Sequence, residues 1–212
     1  MNDGTWEVRL VERAEIREFI EKWHYSRSIN GVLSTYCFGL YRDSKMQGAM
    51  LFGKVGMANA WKKYADKQEE ILELRRLCCV DDTPKNAESY FIGKCLKWIR
   101  RHSEVKLIVS YADTNHGHEG IIYRATNFSY MGTTSPGRVI IHGDRQYHDK
   151  TIRTKYKGEL KPFAKKVKAA LDNGEAYYKK TTPKHVYLMR IKPLKLRASL
   201  RDPSIQIQRK AS

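Results

Sequence analysis

Two apolar runs, ILELRRLCCV (71–80) and KLIVSYAD (106–113), constrain the fold more than any other feature of this 212-residue sequence. Each is short enough for a strand and too apolar to keep one face wet, so both belong at the centre of a sheet covered on two sides. Between them Ala87, Phe91, Cys95, Trp98, Ile99 and His102 recur at helical spacing. Thr83 and Pro84 suit the cap and first position of that helix. Strand, helix and strand in this order make the two strands parallel, with a right-handed crossover.

The flanking segments extend the sheet. WEVRLV (6–11) reads as a first strand, and Ile16, Phe19, Ile20 and Trp23 form the stripe of an amphipathic helix ending at HYSRS. STYCFGLY and MQGAMLFGKV flank the turn RDSK, the pattern of a hairpin. HEGIIYRATNF reads as a helix of about three turns, and RVIIH (138–142) and HVYLMRI (185–191) as later strands. A helix around 160–172 presents Leu160, Phe163, Ala164, Val167 and Leu171 to a core, while Lys161, Lys165, Lys166 and Lys168 point elsewhere. The pattern predicts one domain over 1–192 and a basic tail over 193–212.

Forty Lys+Arg against 23 Asp+Glu give a net charge of +17, which calls for a polyanionic partner or an anionic surface. The lysine face of the last helix is either a solvated surface or a track for phosphates. No run approaches the roughly 20 apolar residues of a spanning helix, and MNDGTWEVRLVER lacks the pattern of a signal peptide. A cytoplasmic protein without a membrane partner is the expectation. Cys37, Cys78, Cys79 and Cys95 contain no C-x-x-C pair and read as small buried hydrophobes.

The polar stretch SYADTNHGHEG (110–120) follows an apolar strand start. Ligands in open α/β sheets sit at the carboxyl ends of strands, the end that Asp113 occupies, where a carboxylate can orient an imidazole such as His24 for proton transfer. The competing reading is structural, with Asp113 capping the following helix and His24 ending its own. His116 and His118 complete a D-x-x-H-x-H pattern that suggests a metal, but no spacing supplies further ligands; as loop residues they contact phosphate or cap a helix. Glu73, Arg75 and Arg76 interrupt the apolar strand and must be paired or serve a ligand. Alternation sends Glu73 and Arg75 to one face and Arg76 to the other.

The order of elements resembles the GNAT acyltransferase fold, an α/β architecture in which a mixed central sheet with splayed parallel strands is flanked by helices. WHYSRS, LELRRLCCVDDTPKNAES and SYADTNHGHEGIIYRATNFSYMGTT are similar to segments of the Mom family of phage DNA-modification proteins. The resemblance implies conversion of adenine in duplex DNA to N6-carbamoylmethyl adenine, which blocks restriction enzymes. It maps the family's polar centre onto His24, Arg75, Arg76, Asp113 and Tyr123. It also brings acetyl-CoA and iron, with iron ligands among His24, Asp113 and neighbouring tyrosines. In such a fold the strands part where the donor enters. Ser110, Tyr123, His24 and Asp113 are then the catalytic candidates, and Glu73, Arg75, Arg76, Leu77, Cys78 and Lys85 the donor-binding ones.

Ordinary GNAT enzymes cradle the CoA pyrophosphate in a glycine-rich loop, because close approach to backbone N–H groups requires glycine. DDTPKNAES has no glycine, two aspartates and a proline. Glycyl transfer to adenine N6 followed by rearrangement gives the carbamoylmethyl group without a radical step, and the activated glycine of a cell is glycyl-tRNA. Acetyl-CoA, with or without iron, is the alternative donor. An ordinary CoA-dependent N-acetyltransferase and a nonenzymatic nucleic-acid-binding protein are the competing functions. A paired adenine must be flipped out, or caught in a single strand, to react. Tyr25, Tyr36, Tyr111, Tyr123 and Trp61 are candidate stacking partners, and Arg27, Lys62, Lys63, His116, His118, Lys161, Lys165 and Lys168 are candidate phosphate contacts.

Overall fold

A computed structural model describes residues 5–56 and 59–193, so the expected tail lies, beyond Pro193, outside the described residues. The described chain forms two compact units. The first runs to Ala112 and takes in Glu119–Gly132 and the chain from His185; the second holds Asp113–His118 and Thr133–Lys184.

The first unit is built on a seven-stranded sheet in the order β1-β2-β3-β4-β5-β12-β6. Its members are β1 (Trp6–Val11), β2 (Tyr36–Arg42), β3 (Lys45–Gly53), β4 (Ile71–Cys79), β5 (Leu107–Ala112), β6 (Ser129–Thr133) and β12 (His185–Arg190). Strands β1 to β4 pair antiparallel, β4 and β5 pair parallel, and β12 returns antiparallel to β5. The parallel pair and the hairpin are those the sequence predicts. Asp43 and Ser44, at φ +49° and +65°, make the tight turn between β2 and β3, whose left-handed residues match the strand twist.

Two helices cover the sheet. α1 (Arg13–Trp23) buries Ile16 and Ile20 against Cys37, Ala49 and Leu51. α2 (Ala87–His102) buries Phe91, Ile92, Cys95, Leu96 and Ile99 over Leu72, Leu74 and Ile108. A third cluster joins Ile71, Leu107, Val109 and Val186 to Val55, Tyr64 and Ala65. The four cysteines are free, with Cys37 and Cys95 buried. No helix among the described residues is long and apolar enough to cross a membrane.

Two helix boundaries differ from expectation. Thr83 does not cap α2: its hydroxyl donates back to the Val80 carbonyl at 3.0 Å, and the helix starts at Ala87 after Asn86 in the left-handed region. α3 (Ile121–Ala125) has five residues rather than three turns. The Phe128 N–H bonds to the Tyr123 carbonyl and the Asn127 N–H to Arg124, with Asn127 at φ +64°. That closure is a Schellman motif, which stops a helix by satisfying its last carbonyls.

The second unit has a three-stranded sheet in the order β11-β7-β8, from β7 (Arg138–His142), β8 (Arg145–His148) and β11 (Ala176–Lys180). A small hairpin joins β9 (Lys155–Tyr156) and β10 (Glu159–Leu160). α4 (Pro162–Asp172), with proline in its first turn, buries Ala164, Val167 and Ala170 against Ile140 and Ala176. Small residues let the helix lie close to the sheet, and Phe163, predicted to be core, is left 52% exposed.

Gly120 precedes α3 at φ +74°, and a Cβ there would lie 2.2 Å from the Tyr187 ring. Gly120→Ala should cost about 2–4 kcal/mol through strain and overpacking, measured as a lower urea midpoint with an unchanged slope.

Candidate active site

The parallel ladder between β4 and β5 runs from Ile71 opposite Leu107 to Leu74 opposite Ser110 and goes no further. Beyond it β4 continues along β3 to Cys79, and β5 along β12 to Ala112. The parting begins at a bulge: Leu74 pairs with Phe52 and Arg76 with Leu51, which leaves Arg75 as the extra residue. A bulge bends its strand and raises the local twist. Past Leu74 the edges of β4 and β5 that faced each other no longer share hydrogen bonds, so polar backbone lines an opening in the sheet.

The bulge also corrects the expected facing of the arginines. Leu74 and Leu77 both pack with the α2 cluster. Arg75 donates to the Lys54 carbonyl at 3.1 Å, and Arg76 donates through Nε to the Ser28 carbonyl at 3.3 Å. Both side chains therefore leave the sheet away from α2.

On the α2 side, Ser110 is fully buried and its hydroxyl donates to the Leu74 carbonyl at 3.2 Å, at the last rung of the ladder. Tyr123 lies beside it, with ring centroids 5.2 Å from Tyr187 and 5.4 Å from Phe128. Desolvation pushes the Tyr123 phenol up to about 12, and the Ser110 hydroxyl offsets this only in part. At neutral pH Tyr123 is a proton donor.

The start of α3 and the β4–α2 loop enclose a cavity of about 530 Å³, lined by Ile121, Ile122, Asp81, Pro84, Lys85 and Glu88 among others. This loop would have to cradle a pyrophosphate, and it is poorly equipped to do so. The Thr83 and Ala87 N–H groups are spent on the Val80 and Pro84 carbonyls at 3.1 and 3.0 Å. Pro84 has no N–H, and Asp81 and Glu88 oppose an anion. Of the six residues expected to bind the donor, only Lys85 lines the cavity. Leu77 packs with the α2 cluster and Cys78 with the α1 cluster.

A second polar group lies away from the α2 side. Glu73 pairs with Arg75 at 3.4 Å and accepts the Gly56 N–H at 2.8 Å, so the ion-pair reading holds for these two. Among the described residues the buried Arg75 Nε has no acceptor. The Tyr111 phenol is raised far above its ordinary value by burial, reinforced by its neighbours Tyr64 and Glu73. Expected as a stacking surface for a base, Tyr111 is instead joined to the buried phenol of Tyr64. Sequence reading missed Tyr64 because residues 57–70 carry no hydrophobic period.

His24 and Asp113 each make local bonds. His24 ends α1 at 5% exposure, and its Nδ1 accepts the Ser26 N–H at 3.0 Å with the Ser26 hydroxyl at 2.9 Å. A neutral ring so held carries its proton on Nε2. Tyr25, 44% exposed, has its ring 4.2 Å from that of His24. Asp113, in the second unit, accepts from the Asn115 N–H at 3.1 Å and lies 2.6 Å from the Lys184 ammonium. Burial alone would raise its pKa, but the bonds from Lys184 and Asn115 prevail and hold it below the ordinary value. It is therefore ionised and weakly basic, a cap and a clamp; Lys184 was not anticipated.

The remaining candidates divide by exposure. Arg27, Lys62, Lys63, Lys161, His116 and His118 are exposed. Trp61 is half-buried on the third cluster, and Tyr36 packs edge-on against Trp98 at 5.4 Å. Lys165 and Lys168 pair with Glu159 and Asp172 at 2.5 and 2.8 Å. Among the described residues no three His, Cys, Asp or Glu side chains form a group able to hold a metal. With both Asp113 oxygens already engaged, the expected iron ligands do not fit as a site, and no step is derived through iron.

Solved structures share this architecture. An N-acetyltransferase from Staphylococcus aureus Mu50 superposes with a TM-score of 0.51 at 12% identity, covering 89% of this chain and 99% of its own. The ribosomal-protein-S18-alanine N-acetyltransferase from Escherichia coli gives 0.50 at 8%, covering 90% and 97%. At such identities the likeness defines the class of fold, which is GNAT. Within that class the chain belongs to the Mom protein family, whose model matches residues 5–206. It is 29% identical over 146 residues to the methylcarbamoylase mom of Escherichia phage Mu, an alignment that spans 67% of this chain and 59% of that protein.

Because the folded pKa of Asp113 is depressed, the stability it contributes is complete above the ordinary carboxylate range and is lost as pH falls through the folded value. Lys184→Met should raise the Asp113 titration midpoint in carbon NMR and move acid unfolding to higher pH.

Proposed function

We propose that this protein is a transferase that modifies adenine in DNA to N6-carbamoylmethyl adenine, with glycyl-tRNA as donor. The observation that carries the reading is the β4–α2 loop of a GNAT fold, which has no glycine, spends its Thr83 and Ala87 amides internally, lacks an amide at Pro84 and turns Asp81 and Glu88 to the cavity. Family membership and the name of the phage Mu relative, a methylcarbamoylase, supply the reaction class. A donor that does not depend on a pyrophosphate cradle suits such a loop better than CoA does. The charge of +17 suits two nucleic-acid substrates.

In the first step N6 of a flipped adenine attacks the glycyl ester carbonyl. The ester C–O bond breaks, and the proton lost by N6 ends on the departing tRNA 3′ oxygen. The free glycyl amine then attacks C6 to form a five-membered spiro intermediate. Collapse breaks the bond from C6 to the original N6, which becomes the terminal amide nitrogen, and C6 keeps the chain NH–CH2–CO–NH2. No oxidant or reductant is required. The Tyr123 phenol and the His24 Nε2–H are assigned as donors to the developing oxyanion and leaving group, alongside backbone N–H groups of parted β4. Ser110 holds Tyr123, and Asp113 anchors the end of β5.

Purified protein, duplex DNA and tRNA charged with carbon- and nitrogen-labelled glycine should give modified adenosine retaining both glycine carbons and the glycine nitrogen by mass spectrometry. Incorporation of label from acetyl-CoA would overturn the donor assignment. Tyr123→Phe should lower product formation about 100-fold or more with little change in DNA affinity.

A further inference from the structure

The segment Thr133–Lys184 interrupts the main sheet between two strands that are neighbours in it, β6 and β12. It forms its own sheet, hairpin and helix around a small core of Ile140, Val167, Ala170 and Ala176. These 52 residues carry 13 of the 40 basic side chains against 5 of the 23 acidic ones. About a quarter of the chain thus supplies nearly half of its positive excess. It also holds four of the seven exposed aromatics among the described residues: Tyr156, Phe163, Tyr177 and Tyr178, at 63, 52, 61 and 44%.

Two of these rings have cations against their faces. Lys157 and Lys161 lie 5.9 and 5.5 Å from the Tyr156 centroid, and Arg138 lies 4.4 Å from that of Tyr178. Lysines on an edge strand such as β11 are a common guard against aggregation, which accounts for Lys179 and Lys180. It does not account for Tyr177 and Tyr178, which make the same edge more adhesive. Phosphate contact alone needs lysine and arginine but no exposed rings. Rings flanked by cations are the surface on which unpaired bases stack while their phosphates are neutralised.

We infer that this inserted unit binds a single-stranded end of RNA, the unpaired 3′ terminus of the donor tRNA, with Tyr156 and Tyr178 as stacking platforms. The choice of tRNA rests on the function proposed above. A DNA duplex hides the faces of its internal bases apart from the one flipped out to react, whereas the aminoacylated end of a tRNA is permanently unpaired and offers successive base faces to an aromatic platform.

The test is binding by the full-length protein, followed by fluorescence anisotropy, to uncharged glycine tRNA, to the same tRNA trimmed of its unpaired 3′ nucleotides, and to a blunt DNA duplex. Tyr156→Ala and Tyr178→Ala should each weaken intact tRNA about tenfold and leave the trimmed tRNA and the duplex unaffected. Tyr156→Phe and Tyr178→Phe, which keep the ring, should bind as wild type does. The inference is overturned if wild type binds trimmed and intact tRNA equally. Equal losses for duplex and tRNA in the alanine variants overturn it too, since they mark a general phosphate surface. So does unchanged tRNA affinity, including the case where only self-association is lost and the patch is a protein contact. Because no charged tRNA is used, failure of glycyl transfer in the labelling experiment leaves this result independent.

Discussion

The parting of β4 from β5 after Leu74 and Ser110 is the constraint on which the site depends. A parallel pair that stayed zipped would satisfy its own backbone and leave no opening. The extra residue at Arg75 takes β4 out of register with β3 at the rung where the parallel ladder stops. It also settles a problem of charge. Two adjacent arginines in a central strand would, under strict alternation, drive one guanidinium into the α2 core, where an unpaired charge costs several kcal/mol. The bulge turns both away, to Glu73, Lys54 and Ser28.

Desolvation then differentiates the polar groups around the opening. Tyr123 and Tyr111 are both held protonated by burial, but their settings differ. Tyr123 sits beside Ser110 and within α3, whose residues line the cavity. Tyr111 is joined to Tyr64 on the opposite side of the sheet, near the Glu73–Arg75 pair. The first is bonded to Ser110 behind the α3 residues that line the cavity, whereas the second ties the segment carrying Tyr64 to the sheet. Similar shifts in proton affinity thus arise in two different settings, one beside Ser110 and one beside Tyr64.

Hydrophobic period made the parallel pair, the β2–β3 hairpin and the helices α1 and α2 legible in the sequence, because each buries a regular stripe. The bulge was not legible. Period-2 alternation assigns every residue a face, and nothing in LELRRL marks one residue as supernumerary. Thr83 has the chemistry of a cap, yet its hydroxyl is used one turn earlier by Val80, a local competition that residue type cannot decide. Asp113 and Tyr111 were legible as polar members of the strand exit, but their partners Lys184 and Tyr64 lie far away in the chain. The Lys184 bond gives a clamping partner to a carboxylate that was expected to orient an imidazole or to cap a helix.

The root of the inserted unit explains how so large an interruption is tolerated. The Thr134 N–H donates to the Lys184 carbonyl at 2.9 Å, and the Lys184 N–H donates to the Thr134 hydroxyl at 3.0 Å, so entry and exit are tied together. Closing a loop of this length rather than a short hairpin costs only about 2 kcal/mol more. Ordering its backbone, at about 1–2 kcal/mol per residue, is the larger demand, and it is met by the unit's own sheet and the α4 core. The same Lys184 that closes the root holds Asp113 through its ammonium. The residue leaving β5 and the residue leading into β12 are thereby joined within the second unit.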